Sequence, residues 1–293
     1  MSVTAASLGR KIASAGDLQS VVRTMKAVAA ANLAQYGQSV GALASYVQTV
    51  ELGLGVCFRQ VGTPATAAAD IDSGDHGSPS AIVFGSDQGL VGRFNDEIAD
   101  FASTSLAGLP GEPRVWAIGE RVHSRLLEAG LRPVGLLPVP GSIHDVAARV
   151  GEILVRCVSP QAQGAELHLF HQRPTASGSC VPTSLRLLPL DREWRGEMAR
   201  KAWPGRSLPD VIGGVSATLR ALIREYLYVS LFRACAESLA SENASRLAAM
   251  RRADRNIDEL LENLSMTFHT VRQNGIDEEL FDVISGFEAL NTT

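Results

Sequence analysis

The chain has 293 residues, of which 45% are hydrophobic, 20% charged and 5% aromatic, and its formal net charge is −4. That length allows one large domain or two ordinary ones, the hydrophobic share supports a packed core, and the mild acidity gives no basis for nucleic-acid binding, which needs a basic face. No uninterrupted apolar run reaches the roughly 18 residues of a spanning helix, and the start, MSVTAASLGRK, lacks the apolar centre of a secretory signal, so any membrane association is expected to be peripheral and through a partner.

Residues 8 to 54 carry an apolar seam. Val22, Met25, Ala29, Leu33, Tyr36, Val40, Leu43, Val47, Val50 and Leu54 step by three or four, which averages near 3.5, the period of a left-handed coiled coil. Gly9, Gly16, Gly37 and Gly41 interrupt this helix, each at a cost of about 1 kcal/mol relative to Ala. They fit either a rod seated in a narrow sleeve or, at Gly16-Asp17, a plain helix break. Residues 59 to 79 are rich in Ala, Thr, Gly, Ser and Asp and read as a flexible loop.

The middle alternates strands and helices. Strands are expected at 81–84, 114–118, near Val134, at 166–170 and at 184–190, with helices at 96–107, 121–129 and 144–157. The β-α-β-α order predicts an α/β domain with a mostly parallel sheet and flanking helices, Rossmann-like in kind. Pro182, Pro189, Pro204 and Pro209 mark where the chain turns back toward a second long helix. In that helix Leu247, Met250, Ile257, Leu261, Leu264, Phe268 and Val271 repeat the seam spacing. Residues 215 to 287, if continuous, extend roughly 110 Å at 1.5 Å per residue. The expected organisation is an N-terminal coiled-coil helix (1–57), a loop (58–79), the α/β domain (80–203), a linker (204–214) and a C-terminal coiled-coil helix (215–293), the two helices pairing antiparallel.

Candidate chemistry is sparse. GSDQGLVGRFN (85–95) follows a strand and opens a helix, the place of phosphate-binding loops, yet it lacks the Lys-Ser/Thr of a P-loop and the glycine spacing of a dinucleotide fingerprint. Tight strand-to-helix turning is the role expected of it, and nucleotide binding the alternative. His168 and His171, three apart on a strand, point to opposite faces and are not expected to share a metal. Asp70, Asp72, Asp75 and His76 lack the order of a calcium loop. Cys57, Cys157, Cys180 and Cys235 share no ligand spacing and read as reduced thiols. No cofactor, metal or catalytic constellation is assigned. Arg272 and Gln273, after the last seam residues, are the most distinctive polar pair; Arg272 is suited to a bidentate bond with a partner's carboxylate.

Three blocks carry a resemblance over essentially the whole chain. RKIASAGDLQSVVRTMKAVAAANL, then Ser86 to Asn95, then SENASRLAAMRRADRNIDELLENLSMTFHTVRQNGIDEELFDVISGFEAL resemble the gamma-subunit family of F-type ATP synthases. Asn32, Asp277 and Gly286-Phe287 depart from the family pattern, as does the mild acidity, and suggest a divergent bacterial branch; the coupling ion, proton or sodium, is left open. The resemblance implies a non-catalytic rotor shaft without a cofactor of its own. Its partners would be the alpha and beta subunits of the catalytic hexamer, the epsilon subunit and the ring of c subunits, on the cytoplasmic face of the bacterial inner membrane. It implies beta-subunit contacts at Met25 and Lys26 (a lever segment) and at Arg272 and Gln273 (a catch loop). A nucleotide-binding enzyme using the 85–95 loop and a cytosolic coiled-coil adaptor remain as alternatives.

Overall fold

The computed structural model describes residues 4–61, 78–157, 166–175, 179–190, 192–207, 209–212 and 214–291. The described elements are, in order, α1 (Ala5–Val61), β1 (Ser80–Phe84), α2 (Phe94–Ala107), β2 (Arg114–Ile118), α3 (Glu120–Glu128), β3 (Pro133–Leu137), α4 (Ile143–Cys157), β4 (Leu167–Pro174), β5 (Cys180–Leu188), α5 (Arg192–Arg200) and α6 (Val215–Asn291). They form two compact units: residues 1–28 with 247–293, and residues 29–246.

The second unit is built on a five-stranded sheet in the order β3-β2-β1-β4-β5. The first four strands run parallel, and β5 returns antiparallel to β4 at the edge. β1 lies in the middle and is buried at all five residues, as a strand covered on both faces must be. On one face Ala81, Val83, Val115, Ala117 and Phe170 pack against α2 and α3. On the other, Ile82, Phe84, Ile118, Leu137 and Leu169 meet α4 and the part of α6 from Leu227 to Ala240, with Tyr36 of α1. Removing a ring such as Phe170, which is 1% exposed, would cost about 3–5 kcal/mol.

Several boundaries differ from the sequence reading. β4 extends to Pro174 and β5 begins at Cys180, so Pro182 lies within a strand, opposite Gln172, rather than in the turn back. Proline is tolerated there because β5 is an edge strand with one side free of ladder partners. α1 continues to Val61, and Phe58 packs edge-on to Trp194 of α5 at 6.0 Å. α5 itself was not expected: REWRGEMAR offers only Trp194 and Met198 to a core, too short a signal for a period. It is clamped to α1 by Arg59, whose Nη1 donates to the carbonyls of Ala199 and Lys201 at 2.7 and 2.9 Å. A side chain at Gly55 would meet the Met198 carbonyl oxygen at 2.5 Å, so that position must be glycine. Most of the expected 58–79 loop, with Asp70, Asp72, Asp75 and His76, lies outside the described residues.

α1 is one helix through Gly16-Asp17, so of the two readings of its glycines the helix break does not apply there. Among the described residues a Cβ at Gly16, Gly37 or Gly41 would meet nothing within 4 Å, so packing there does not require their small size. α1 also holds no charged residue between Lys26 and Glu51, and it contains an 18-residue window of mean hydropathy 1.3, of which 28% is buried. By length and composition alone it could cross a membrane, although its valines and leucines are interspersed with polar residues and no unbroken apolar run is present.

All four cysteines are free; Cys57, Cys157 and Cys235 are buried and Cys180 is partly exposed. Burial pushes the Cys157 and Cys235 thiols up to about 12, and only the thiolate attacks electrophiles. Native protein treated with a maleimide at neutral pH should therefore be labelled at Cys180 first, with the other three reacting only after denaturation; mass mapping that finds Cys157 or Cys235 modified at a rate equal to Cys180 would contradict this.

Candidate functional site

The glycine loop after β1 is occupied by its own side chains. Asp87 Oδ1 accepts from the Glu120 backbone N–H and Oδ2 from the Val139 N–H, both at 2.9 Å. The carboxylate thus sits at the N-terminus of α3, where a phosphate would otherwise be held. Ser86 and Asn95 bond each other twice, Ser86 N–H to Asn95 Oδ1 at 3.0 Å and Asn95 Nδ2 to Ser86 Oγ at 2.8 Å. Gly85 and Gly119 are forced: a Cβ at Gly85 would meet Val122 at 2.2 Å, and Gly119 has φ +119° against the Ser86 backbone. Asp96 and Glu97 already place negative charge in the first turn of α2. Close by in the same unit, burial holds the Glu242 carboxyl above its ordinary range despite its Arg246 partner, and Asp87 adds to the effect. Ser86, Glu120 and Val139 have their amides engaged by side chains of the loop and of α2, so the loop turns the chain and stitches β1, β2 and β3 together.

The crevice beside β1 and β4, where the strand order reverses and where ligands of doubly wound sheets bind, is likewise filled. Gln172 donates to the Phe94 carbonyl at 3.2 Å and Ser241 Oγ donates to the Gln172 carbonyl at 3.0 Å. The two histidines diverge as their spacing requires: His168 bonds Glu166 at 2.9 Å, while His171 is buried and its Nε2 lies 2.8 Å from Glu237 Oε2. Glu237 also receives Arg233 at 2.8 Å and Arg173 at 3.3 Å. Burial alone would raise this carboxyl; the His171 and Arg233 contacts outweigh it and bring it down to about 2. Nothing in a single sequence pairs residues 171 and 237, so this cluster escaped the sequence reading.

In the first unit the beginning of α1 and the far part of α6 pair antiparallel. Gly9 faces Phe268, Gln19 bonds Asp258, and Arg23 Nε reaches Asp254 at 3.3 Å. Along α1 in this unit the buried apolar positions Leu8, Ala15 and Val22 step by seven, with Gln19 also buried between them. Val22, Met250 and Ile257 form the core of the pairing, with Met25, Ala249, Ala253 and Leu261 packed on it. Lys26 is not free to face outward: its ammonium pairs with Asp254, whose carboxyl is lowered, chiefly by that hydrogen bond. Asp254 occupies a seam position between Met250 and Ile257, a polar residue that an apolar pattern passes over. Arg272 and Gln273 are exposed and make no hydrogen bond or ion pair among the described residues. Beyond Gly275 the seam ends: Ile276, Leu280, Phe281, Val283 and Ile284 are 45–70% exposed, an apolar surface that this unit does not cover.

A family model described as ATP synthase matches residues 4–290. Curated relatives include the ATP synthase gamma chain of Sinorhizobium fredii, 27% identical over 291 residues with 97% of this chain and 98% of the relative covered, and that of Brucella canis, 28% identical over 290 residues with the same coverage. Among solved structures the fold is similar to a chain of the Euglena gracilis mitochondrial ATP synthase OSCP/F1/c-ring structure (TM-score 0.61, 14% identity, covering 97% of this chain and 93% of that one). It is also similar to a chain of the Tetrahymena thermophila mitochondrial ATP synthase central stalk and c-ring (TM-score 0.55, 18% identity, 80% and 99%).

Asp87→Ala should cost about 2 kcal/mol, since two backbone donors lose their acceptor at once; a urea midpoint shift much smaller than this would show that the carboxylate is not the stitch. A second test concerns acid. Because the Glu237 carboxyl titrates near 2 when folded against an ordinary 4.5, its contribution is fully present above 4.5 and is lost as pH falls toward 2. Glu237→Gln should flatten the acid limb of the stability curve in that window, and an unchanged limb would refute the assignment.

Proposed function

Because this chain belongs to the ATP synthase family, we propose that it is the central rotor shaft of a rotary F-type ATP synthase, coupling ion flow through a c-ring to the conformational cycle of an alpha/beta catalytic hexamer. The observation that carries the reading is the antiparallel seam of α1 and α6 in a chain matched by the family model over residues 4–290. Relatives named as ATP synthase gamma chains, covered almost end to end, support it. A rotor needs a stiff pair of helices and an end with apolar surface available to a surrounding sleeve. The paired seam around Val22, Met250 and Ile257 and the uncovered apolar residues beyond Gly275 match those needs.

The proposed partners are the alpha and beta subunits around the paired ends, with epsilon and the c-ring at the sheet-bearing unit. The site of action is the cytoplasmic face of the bacterial inner membrane, reached through the complex. Arg272 and Gln273 are proposed to meet the beta catch loop: both are exposed and unengaged among the described residues, so a bond to a partner carboxylate breaks none there. Met25 and Lys26 are proposed to meet a beta lever segment. Met25 is half-buried in the seam and the Lys26 ammonium is engaged by Asp254, so their contact is one of surface shape more than free charge. A latch must be breakable at each step, and about 1.4 kcal/mol biases beta states by a factor of ten.

The chain should co-purify with an alpha/beta hexamer whose ATPase depends on it; recovery free of any such hexamer would favour the adaptor reading. In the assembled enzyme Arg272→Ala should lower coupled ATP synthesis by about tenfold, the loss of roughly 1.4 kcal/mol of latch, with the thermal transition of the isolated chain unchanged. Undiminished synthesis would sink the latch assignment.

A further inference from the structure

We propose that Glu237 is a torsional strap, fixing the rotation of α6 against the sheet so that the two turn as one body. The proposal rests on the rotor reading and adds to it which side chains carry the load. Glu237 is on α6, its side chain is 4% exposed, and both oxygens are engaged. Oε2 takes His171 at 2.8 Å and Arg173 at 3.3 Å from β4, and Oε1 takes Arg233 at 2.8 Å from the preceding turn of α6. One turn further on, Ser241 Oγ donates to the Gln172 carbonyl at 3.0 Å, and Cys180 Sγ, at the start of β5, donates to the Ser241 carbonyl at 3.3 Å. Residues 171, 172 and 173 of β4 are thus pinned in succession to two turns of α6.

The rest of this contact is apolar packing, with Tyr228, Phe232 and Cys235 of α6 beside its aliphatic side chains. Leu227, Leu231, Ala234, Leu239 and Ala240 of α6 pack on the sheet side of the core. Such contacts resist separation but allow packed helices to slide and turn by small shear movements. Directional bonds resist turning. A buried carboxylate is a weak source of stability, since well-packed apolar groups do as well or better; what it adds is one orientation. His171 has no other polar role among the described residues. Its Nδ1 is buried there without a partner, so the Glu237 bond is the ring's one polar contact. Arg173 and Arg233 are about half exposed and turn to water if the carboxylate is lost, so variants at this cluster leave no fully buried orphan charge.

The test compares loaded with unloaded work in the assembled enzyme. His171→Leu removes the directional bond and keeps bulk; His171→Gln puts an amide N–H near the place of Nε2; Glu237→Gln removes the charge. With the strap as proposed, His171→Leu and Glu237→Gln lower ATP synthesis in energised vesicles about tenfold, leave ATP hydrolysis by the detached catalytic complex at the unaltered rate, and His171→Gln restores synthesis. Synthesis and hydrolysis falling together, both staying unaltered, or His171→Gln failing as His171→Leu does would each overturn the strap. If Glu237→Gln does not assemble, the two His171 variants decide alone. An unaltered chain that forms no ATP-hydrolysing complex would overturn the rotor reading itself.

Discussion

Two helices that meet along a seam repeating every seven residues are held in one register, and that constraint governs the rest of the chain. In the first unit the buried apolar positions of α1 recur at Leu8, Ala15 and Val22. A strict seven-residue repeat imposes a left-handed supercoil, in which neither helix can rotate without unseating the other. Register is reinforced where apolar packing is weak. Alanine and valine fill much of the α1 seam, and there the Gln19–Asp258, Arg23–Asp254 and Lys26–Asp254 contacts fix which residue meets which. Exposed pairs of this sort add little stability; their contribution is alignment.

The same division between packing and alignment recurs in the sheet-bearing unit. Its two aliphatic cores supply the burial energy, while polar groups fix orientation. Asp87 gathers the ends of β1, β2 and β3, and Glu237 joins β4 to α6. Positions used for ligands in other doubly wound sheets are here taken up by internal bonds. Those bonds tie neighbouring elements of this unit to one another.

The sequence displayed the seam, the alternation of strands and helices and the turning role of the 85–95 loop because each is a local pattern: a period, an alternation or a glycine spacing. Ala81 to Phe84 was recognisable as a strand because all of it is buried. What stayed hidden depends on contacts between distant residues. Asp254 sits in a seam position that an apolar template skips, and Lys26 and Arg23, 228 and 231 residues away, explain it. Pro182 read as a turn because its tolerance in β5 depends on that strand being an edge. α5 offers just Trp194 and Met198, whose meaning comes from Phe58 and the close approach at Gly55. The Glu237 cluster joins residues 64 and 66 positions apart, and no spacing rule reaches that far.

A rotor shaft works by moving relative to the subunits around it, and single-molecule observation of the assembled enzyme addresses that motion most directly. With the alpha/beta hexamer fixed to a surface and a probe attached to Cys180 or a neighbouring surface residue, ATP should drive sustained rotation of the probe in one direction. Steady ATP hydrolysis beneath a probe that only fluctuates about a fixed angle would contradict it.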